Sequence, residues 1–284
     1  MKKVLITGGS GFIGRALLNN LNRDYNVITL VRQKLIDENS IAIGEFGHKT
    51  DFSSVVEGVD VVIHLAARAH VLKKENNSTE LFRSTNTIAT TNLAKNSADA
   101  GVKRFIFISS IGVNGIHNTY PFSYSDTPKP VEDYAISKFE AEIELKKIAK
   151  STGMEVVIIR PPLVYGKGAP GNFGTLLKVA NKNLPLPLGA INNKRSFVSI
   201  DNLVDIIITC IDHPRAANQT FLVSDDEEIS TSNLLKKLTL AAGKKPWLLP
   251  VPVLFLKFLA SIVGKKAAVE RFSSSLTVDI EHTK

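Results

Sequence analysis

Two pairs of side chains in this 284-residue chain have types and spacings suited to proton transfer. Tyr134 and Lys138 are four residues apart in a segment with a helical pattern, so they share one helix face. A phenol ionises near pH ~10, and an ammonium group beside it favours the phenolate and lowers that pKa. Ser109 and Ser110 follow the apolar run 105–108, which predicts a buried parallel strand. Hydroxyls at the carboxyl end of such a strand lie where open α/β sheets hold their ligands.

A glycine-rich turn near the start of the chain predicts a phosphate site. Residues 7–14 read Thr-Gly-Gly-Ser-Gly-Phe-Ile-Gly and directly follow the apolar residues 4–6. In a strand–turn–helix unit, Gly8 allows the tight turn, Gly11 lets the backbone approach a pyrophosphate, and Gly14 lets the helix pack close to the sheet. The N–H groups at the helix N-terminus then face the phosphates.

The elements that must position these residues alternate between strand and helix patterns up to about residue 160. The predicted strands are 3–7, 26–31, 60–65, 103–109 and 154–160, and the predicted helices are 12–21, 79–100 and 133–150. This order predicts an α/β fold, a Rossmann-like doubly wound parallel sheet with helices on both faces. We expect residues 1–160 to form the nucleotide-binding domain. We expect 161–284 to form mainly a smaller substrate-binding lobe, with helices at 201–213, 230–242 and 252–263 and with some segments that rejoin the sheet.

Composition narrows the class of protein only a little. Hydrophobic residues make up 44% of the chain and charged residues 22%, as in a globular protein. The formal net charge is +8, but the basic residues are not clustered with aromatics, so we expect no nucleic acid partner. The one cysteine, Cys210, is expected in the core and suits a reducing, cytoplasmic location. We expect no metal site. We also expect no signal peptide, because strand residues begin at residue 3 or 4.

The most apolar stretch is 251–263. It is shorter than the ~20 residues that span a bilayer, and Lys257 interrupts it. We therefore predict a buried or lobe-covering helix and no stable membrane insertion. An interfacial membrane contact is the less favoured alternative, because the polar face is sparse.

Together these motifs resemble the extended short-chain dehydrogenase/reductase family, the group of NAD-dependent epimerases and dehydratases. The sequence TGGSGFIG resembles the family's TGxxGxxG turn, and YAISK resembles its YxxxK motif. The resemblance implies that Tyr134 is the acid/base and that Lys138 lowers its pKa and hydrogen-bonds the nicotinamide ribose. It implies that Ser110, rather than Ser109, polarises the reacting carbonyl or hydroxyl.

The resemblance also implies a site for NAD or NADP(H). The implied cofactor-binding residues are Gly8, Gly11, Phe12, Ile13, Gly14, Arg32, Asp51, Phe52, Leu65, Ala66, Ala67, Asn86, Tyr134, Lys138 and Pro161. Many NAD-preferring members carry an acidic residue at the end of the second strand, but here Arg32 occupies that region and the first carboxylate is Asp37. Arg32 could pair with a 2′-phosphate, so NADP(H) stays open. Asn114 replaces a common tyrosine of the family, and we expect it to line the substrate side.

The substrate implied by the resemblance is a nucleoside-diphosphate sugar, with UDP the favoured nucleotide. Its implied contacts are Ser110, Asn172 and Arg195. From its position in the chain we also expect Arg271 to supply a second phosphate contact. The closest resemblance is to UDP-glucose 4-epimerase-like proteins, a subgroup that includes 4-keto reductases of UDP-aminosugars for O-antigen or capsule synthesis. Both reactions transfer a hydride at sugar C4, and the motifs do not separate them.

Two other functions are less favoured, namely a reductase of flavonoid- or steroid-like carbonyls and a non-catalytic NAD(P) sensor. A 4,6-dehydratase is set aside, because it normally needs an acidic pair after the catalytic serine and here Ser110 is followed by Ile-Gly. The resemblance also implies a homodimer that pairs through helices 79–100 and 133–150. Family members usually continue beyond the position that corresponds to residue 284, so we expect either a truncated chain or a minimal lobe.

Overall fold

The computed structural model describes residues 1–21, 24–33, 39–47, 49–69, 78–262, 264 and 266–284, with only the backbone described at Asn172. The strands are β1 (Lys2–Thr7), β2 (Tyr25–Val31), β3 (Ser40–Ala42), β4 (Val61–His64), β5 (Arg104–Ile108), β6 (Glu155–Arg160), β7 (Leu163–Tyr165), β8 (Arg195–Ser199), β9 (Thr220–Leu222) and β10 (Glu228–Ile229). Seven of them form one sheet in the order β3-β2-β1-β4-β5-β6-β9, and every neighbouring pair is parallel. The Rossmann-like doubly wound sheet predicted from the sequence is confirmed.

The described part of the chain has nine α-helices, of which four pack on the two faces of this sheet. They are α1 (Phe12–Asn20), α2 (Ser78–Phe82), α3 (Ala89–Asp99), α4 (Asp133–Thr152), α5 (Gly171–Lys182), α6 (Ile200–Asp212), α7 (Thr231–Ala241), α8 (Val253–Ile262) and α9 (Lys266–Ser273). Because strand side chains alternate between faces, Ile6 packs in one core with α1 and α6 whereas Leu5 packs in the other with α3 and α4.

The strand order places the ligand crevice. From β1 the sheet grows one way through β2 and β3 and the other way through β4, with Thr7 of β1 level with His64 of β4. In open α/β sheets ligands bind outside the carboxyl ends of the strands where the order reverses. The crevice therefore opens just beyond Thr7 and His64, next to the end of β5.

The predicted helix 79–100 contains an irregularity. Its middle, Arg83–Ile88, is a π-helical segment between α2 and α3. Such segments are rare and often lie at functional sites, and periodicity does not reveal them because they shift the register by one residue.

The residues after β6 build a second, smaller unit and also complete the large sheet. β7, β8 and β10 form a three-stranded sheet, while β9 returns to the large sheet beside β6. A bridge between Arg195 and Leu276 joins β8 to the end of the chain.

Among the described helices none is long and apolar enough to cross a membrane. In α8, Leu256 and Ala260 are buried, but most of the large side chains are exposed. Of the two predicted alternatives, a buried helix is wrong, and a helix that covers its neighbours with one face agrees with the structure.

Candidate active site

The glycine turn lies at the carboxyl end of β1 and opens α1. Gly8 has a φ of +76°, and a Cβ there would lie 2.7 Å from the Ala66 nitrogen. A Cβ on Gly14 would lie 2.3 Å from the Gly8 carbonyl oxygen, so α1 packs too closely for any side chain. Gly11 precedes the helix as its extended N-cap residue, and its N–H donates to the Gly8 carbonyl at 2.9 Å. The turn thus brings the α1 N-terminus against the sheet edge.

The segment after β4 forms the opposite wall of the crevice. The Ala66 N–H donates to Thr7 Oγ1 at 3.2 Å, which joins the ends of β4 and β1. His64 is fully buried between two hydroxyls, with Nδ1 2.6 Å from Thr7 Oγ1 and Nε2 2.8 Å from Thr90 Oγ1. Burial, reinforced by Lys138, holds the pKa of His64 well below its usual range. His64 is therefore a neutral structural group beneath the site.

The two serines after β5 have different surroundings. Ser109 is buried, and its hydroxyl donates to Glu142 Oε1 at 2.5 Å. Ser110 is partly exposed, and its Oγ accepts the Gly112 N–H at 3.1 Å in the short turn 111–113. Since the Ser109 hydroxyl is already committed to a buried carboxylate, Ser110 is the serine that can face a ligand.

Tyr134 and Lys138 lie in the first two turns of α4. A Cβ on Gly112 would lie 3.2 Å from Ala135 Cβ, so the turn carrying Ser110 packs directly against the start of this helix. Lys138 is 1% exposed, and its Nζ lies 4.2 Å from the centre of the Phe107 ring. The structure thus brings Ser110, Tyr134 and Lys138 together at the carboxyl edge of the sheet.

The expectation that Lys138 lowers the pKa of Tyr134 is wrong in this structure. Burial raises the pKa of Tyr134 to about 12. Burial also lowers the pKa of Lys138 to about 7, although Glu142 acts in the opposite direction. At Lys138, which is 1% exposed, the cost of desolvating the ammonium exceeds the stabilisation that the Glu142 carboxylate supplies.

A buried ion pair behind the site was not predicted. Glu142 lies two turns after Tyr134 on the same helix face and is 1% exposed, while its partner Arg160 at the end of β6 is 2% exposed. Arg160 Nε and Nη2 donate to the two carboxylate oxygens at 2.9 and 2.5 Å. Arg160 Nη1 also donates to Asn114 Oδ1 at 2.9 Å. The i, i+4, i+8 spacing of Tyr134, Lys138 and Glu142 was the signal that could have revealed this pair.

The predicted role of Asn114 is consequently wrong. Its side chain is 2% exposed, accepts from Arg160 and donates through Nδ2 to the Ser123 carbonyl at 3.0 Å. Asn114 does not line the substrate side, because its amide oxygen accepts the hydrogen bond from Arg160 Nη1, the guanidinium nitrogen that does not bind Glu142. A buried donor of this kind requires an acceptor in the protein interior.

Asn86 lies in the π-helical segment and is fully buried. Its Oδ1 accepts the Arg68 N–H at 2.8 Å, and its Nδ2 donates to the Arg68 carbonyl and to Ser137 Oγ, both at 3.0 Å. The amide therefore ties the segment after β4 to the residue preceding Lys138. This geometry positions two walls of the crevice rather than presenting the amide to a ligand.

A cavity of about 640 Å³ lies beyond the carboxyl end of β3. Asp51 lines it, as does Arg68, but the side chain of Phe52 is fully buried in the core beside Phe46. The cofactor contact predicted for Phe52 therefore cannot come from its side chain. β3 was not predicted because it has only three residues, and Glu45, which follows that strand and lines the cavity, was not predicted either.

The remaining predicted cofactor residues surround this crevice. Arg32 is exposed at the end of β2, and Asp37 lies outside the described residues. Phe12 and Ile13 begin α1 and pack partly into the core, and the Pro161 carbonyl accepts the Ile111 N–H at 3.0 Å. Leu65 and Ala67 flank Ala66 after β4.

Arg195 and Arg271 are neighbours in the smaller unit that the residues after β6 build. Arg195 Nη1 donates to the Arg271 carbonyl at 2.9 Å and to the Ser274 carbonyl at 3.2 Å, and burial lowers the pKa of Arg195. The Arg271 side chain, 63% exposed, pairs with Glu132 at 2.5 Å, two residues before Tyr134. Asn172 stands in the first turn of α5 and its side chain lies outside the described part of the structure. The described residues contain no group of three or more His, Cys, Asp or Glu side chains placed to hold a metal ion.

A parallel sheet of this order, with a glycine turn at the reversal point and a Ser-Tyr-Lys group at its carboxyl edge, defines a Rossmann-type dinucleotide-binding enzyme. Residues 4–224 match the NAD dependent epimerase/dehydratase family. The chain is 47% identical to UDP-glucose 4-epimerase of Vibrio cholerae, in an alignment that covers 100% of this chain and 89% of that protein.

Solved structures share the fold. UDP-N-acetylglucosamine 4-epimerase from Bacillus cereus superposes with a TM-score of 0.80 at 20% identity, covering 100% of this chain and 89% of the other. UDP-glucuronic acid 4-epimerase from Bacillus cereus, solved in complex with NAD, superposes with a TM-score of 0.78 at 21% identity, covering 99% and 90%. This chain belongs to the NAD dependent epimerase/dehydratase family, which confirms the resemblance predicted from its motifs.

Proposed function

We propose that the protein is an NAD-dependent 4-epimerase of a nucleoside-diphosphate sugar, with a UDP-sugar as substrate. The observation that carries the proposal is the placement of Tyr134 and buried Lys138 on α4, against the turn that presents Ser110. The 47% identity to the Vibrio cholerae UDP-glucose 4-epimerase supports this reaction over the other readings.

The crevice fits a dinucleotide. The absence of a Cβ at Gly8 and Gly14 lets the α1 N-terminus lie close to the sheet edge, where its N–H groups can bind a pyrophosphate. The cavity lined by Glu45, Asp51 and Arg68 can hold the adenosine end. The chemistry that NAD supplies when bound is the acceptance and return of a hydride at sugar C4.

The protein's own residues handle the proton that accompanies this hydride. Tyr134 Oη would take the proton from the C4 hydroxyl and give it back, and the Ser110 hydroxyl would donate a hydrogen bond to the same oxygen. Burial lowers the pKa of Lys138 to about 7, and its Nζ would hydrogen-bond the nicotinamide ribose.

The nucleotide of the substrate would bind between the two units. Arg195 and Arg271 lie side by side near the start of α4, where their guanidinium groups could bind the two phosphates of UDP. In this structure Arg195 binds backbone carbonyls and Arg271 binds Glu132, so substrate would have to exchange these contacts for phosphate oxygens.

The first experiment is to denature the purified protein and identify any released nucleotide by mass spectrometry. Stoichiometric NAD together with conversion of UDP-glucose to UDP-galactose supports the proposal. Absence of NAD, with tighter binding of NADPH than NADH, would contradict it and favour a 4-keto reductase that reads the 2′-phosphate through Arg32. Arg195→Ala tests the substrate separately, because unchanged UDP affinity in that variant would contradict a nucleotide-sugar substrate while leaving cofactor binding intact.

We also propose a homodimer that pairs through α4 and the helix that precedes it. Ile88 and Ile143 are exposed apolar side chains on these two elements. A mass of one chain in light scattering would contradict the dimer.

The cytoplasm is the compartment we propose, because Cys210 is a buried thiol in a chain with no second cysteine.

A further inference from the structure

Helix α8 presents an apolar stripe to solvent. Its members are Leu254, Phe255, Phe258, Leu259 and Ile262. Residues four apart on a helix lie above one another, so these side chains share one face. Leu254 is 82% exposed, Phe258 61% and Ile262 68%, and contiguous exposure of this kind marks an interaction surface.

The stripe is not needed to hold the helix in place. Leu256 and Ala260, on the other side of α8, are buried with Val269 of α9 in a small core that also contacts Leu188 and Phe272. The helix is therefore attached to the substrate lobe by one face, and its larger side chains point away from the lobe.

The sequence around the stripe carries only positive charge between Glu228 and Glu270, although Lys237 pairs with Glu227 and Lys266 pairs with Glu270. Residues 229–269 contain no Asp or Glu and seven lysines, which are Lys236, Lys237, Lys244, Lys245, Lys257, Lys265 and Lys266. This segment alone accounts for most of the formal net charge of +8, so the rest of the chain is close to neutral. Lysine pairs flank α8 on both sides in the chain, and Lys244, Lys245 and Lys266 are exposed.

We propose that α8 docks this enzyme onto an anionic lipid bilayer, with the apolar stripe in the headgroup and acyl-chain boundary and the lysines on the lipid phosphates. The charge complementarity selects this partner, because a second copy of the chain would bring a second set of seven lysines against the first. A helix of 10 residues is about 15 Å long, so it lies in the plane of the interface and does not cross the bilayer.

The fluorescence of a native tryptophan can be used to follow binding. Trp247 is the single tryptophan, is 55% exposed and lies between Lys245 and α8. We would titrate the full-length protein with vesicles of phosphatidylcholine alone and of phosphatidylcholine mixed with phosphatidylglycerol, following Trp247 emission and co-sedimentation. The anionic vesicles should shift the emission to the blue and bind at least tenfold more tightly, and 1 M KCl should release the protein.

Two pairs of variants separate the contributions. Phe255→Ser with Phe258→Ser should weaken binding roughly 100-fold, because two aromatic side chains no longer enter the interface. Tyr120→Ser, which removes an exposed aromatic side chain outside this segment, should change nothing. Lys244→Glu with Lys245→Glu should weaken binding to anionic vesicles by more than about tenfold.

The matched charge control is Lys146→Glu with Lys147→Glu, an adjacent exposed pair on α4, and it should bind as the wild type does. Wild-type protein that binds neither vesicle, or binds both equally, overturns the proposal. It is also overturned if light scattering shows a dimer that the Phe255 and Phe258 changes convert to monomer without any vesicle binding, since the stripe would then be covered by a second copy.

Discussion

Replacement of Glu142 by glutamine should destabilise the fold more than any other single charge removal on α4. The carboxylate accepts three hydrogen bonds, two from Arg160 and one from Ser109, and both ends of the ion pair are almost fully buried. Glutamine keeps the shape but removes the charge, which leaves the Arg160 guanidinium in the interior with Asn114 as a neutral acceptor.

The expected loss follows from that geometry. Breaking a buried pair by neutralising one partner costs about 3–5 kcal/mol, because the other charge stays desolvated. For a chain of 284 residues this corresponds to a fall in Tm of roughly 5–8 °C. Because Glu142 raises the pKa of Lys138, the variant should also lower that pKa further below its usual range.

The assay is thermal and urea unfolding of Glu142→Gln beside Glu140→Gln. Glu140 is the matched control, since it lies on the same helix and binds Arg83 through both oxygens, but in an exposed pair that solvent screens. The double variant Glu142→Gln with Arg160→Met should recover part of the lost stability, because it removes the orphaned charge. Equal Tm values for Glu142→Gln and Glu140→Gln would refute the reasoning.

Three further predictions concern the site. The pKa of Lys138 is lowered to about 7 in the folded protein, so the unfolded chain binds more protons between pH 7 and about 10.4. The free energy of unfolding should therefore rise with pH in this range, by up to about 1.4 kcal/mol per pH unit. Urea unfolding from pH 7 to 8.5 should give a smaller slope for Lys138→Met than for the wild type, and identical slopes would contradict this prediction. Tyr134→Phe should lower kcat by about 10²–10⁴ with unchanged Tm and cofactor affinity, and near-full turnover would show that another group transfers the proton. Gly14→Ala places a methyl group 2.3 Å from the Gly8 carbonyl oxygen, so NAD affinity measured by calorimetry should fall sharply. Gly101→Ala strains a backbone with a φ of +78° but places its Cβ in open space, so it should leave NAD affinity unchanged.

The local motifs carried most of the correct predictions. The glycine turn, the apolar strands and the 3.6-residue periodicity of α4 are encoded by residues close in sequence, so the Rossmann-like fold and the meeting of Ser110, Tyr134 and Lys138 could be predicted. The short strand β3 could not be predicted in this way. β3 has three residues, too few for a period, so neither this strand nor Glu45, which follows it and lines the cavity, was predicted.

The sequence by itself determined which groups can do chemistry and which sheet edge they occupy, because strand ends and turn glycines are local properties of the chain. Tertiary structure alone decided their surroundings. Ser109 and Asn114 turned inward because the Glu142–Arg160 pair brings residues from α4 and β6 into one buried cluster. Burial, a sum over the whole fold, also decided the pKa of Tyr134 and of Lys138, since desolvation depends on every atom packed around a charge rather than on the neighbours in sequence.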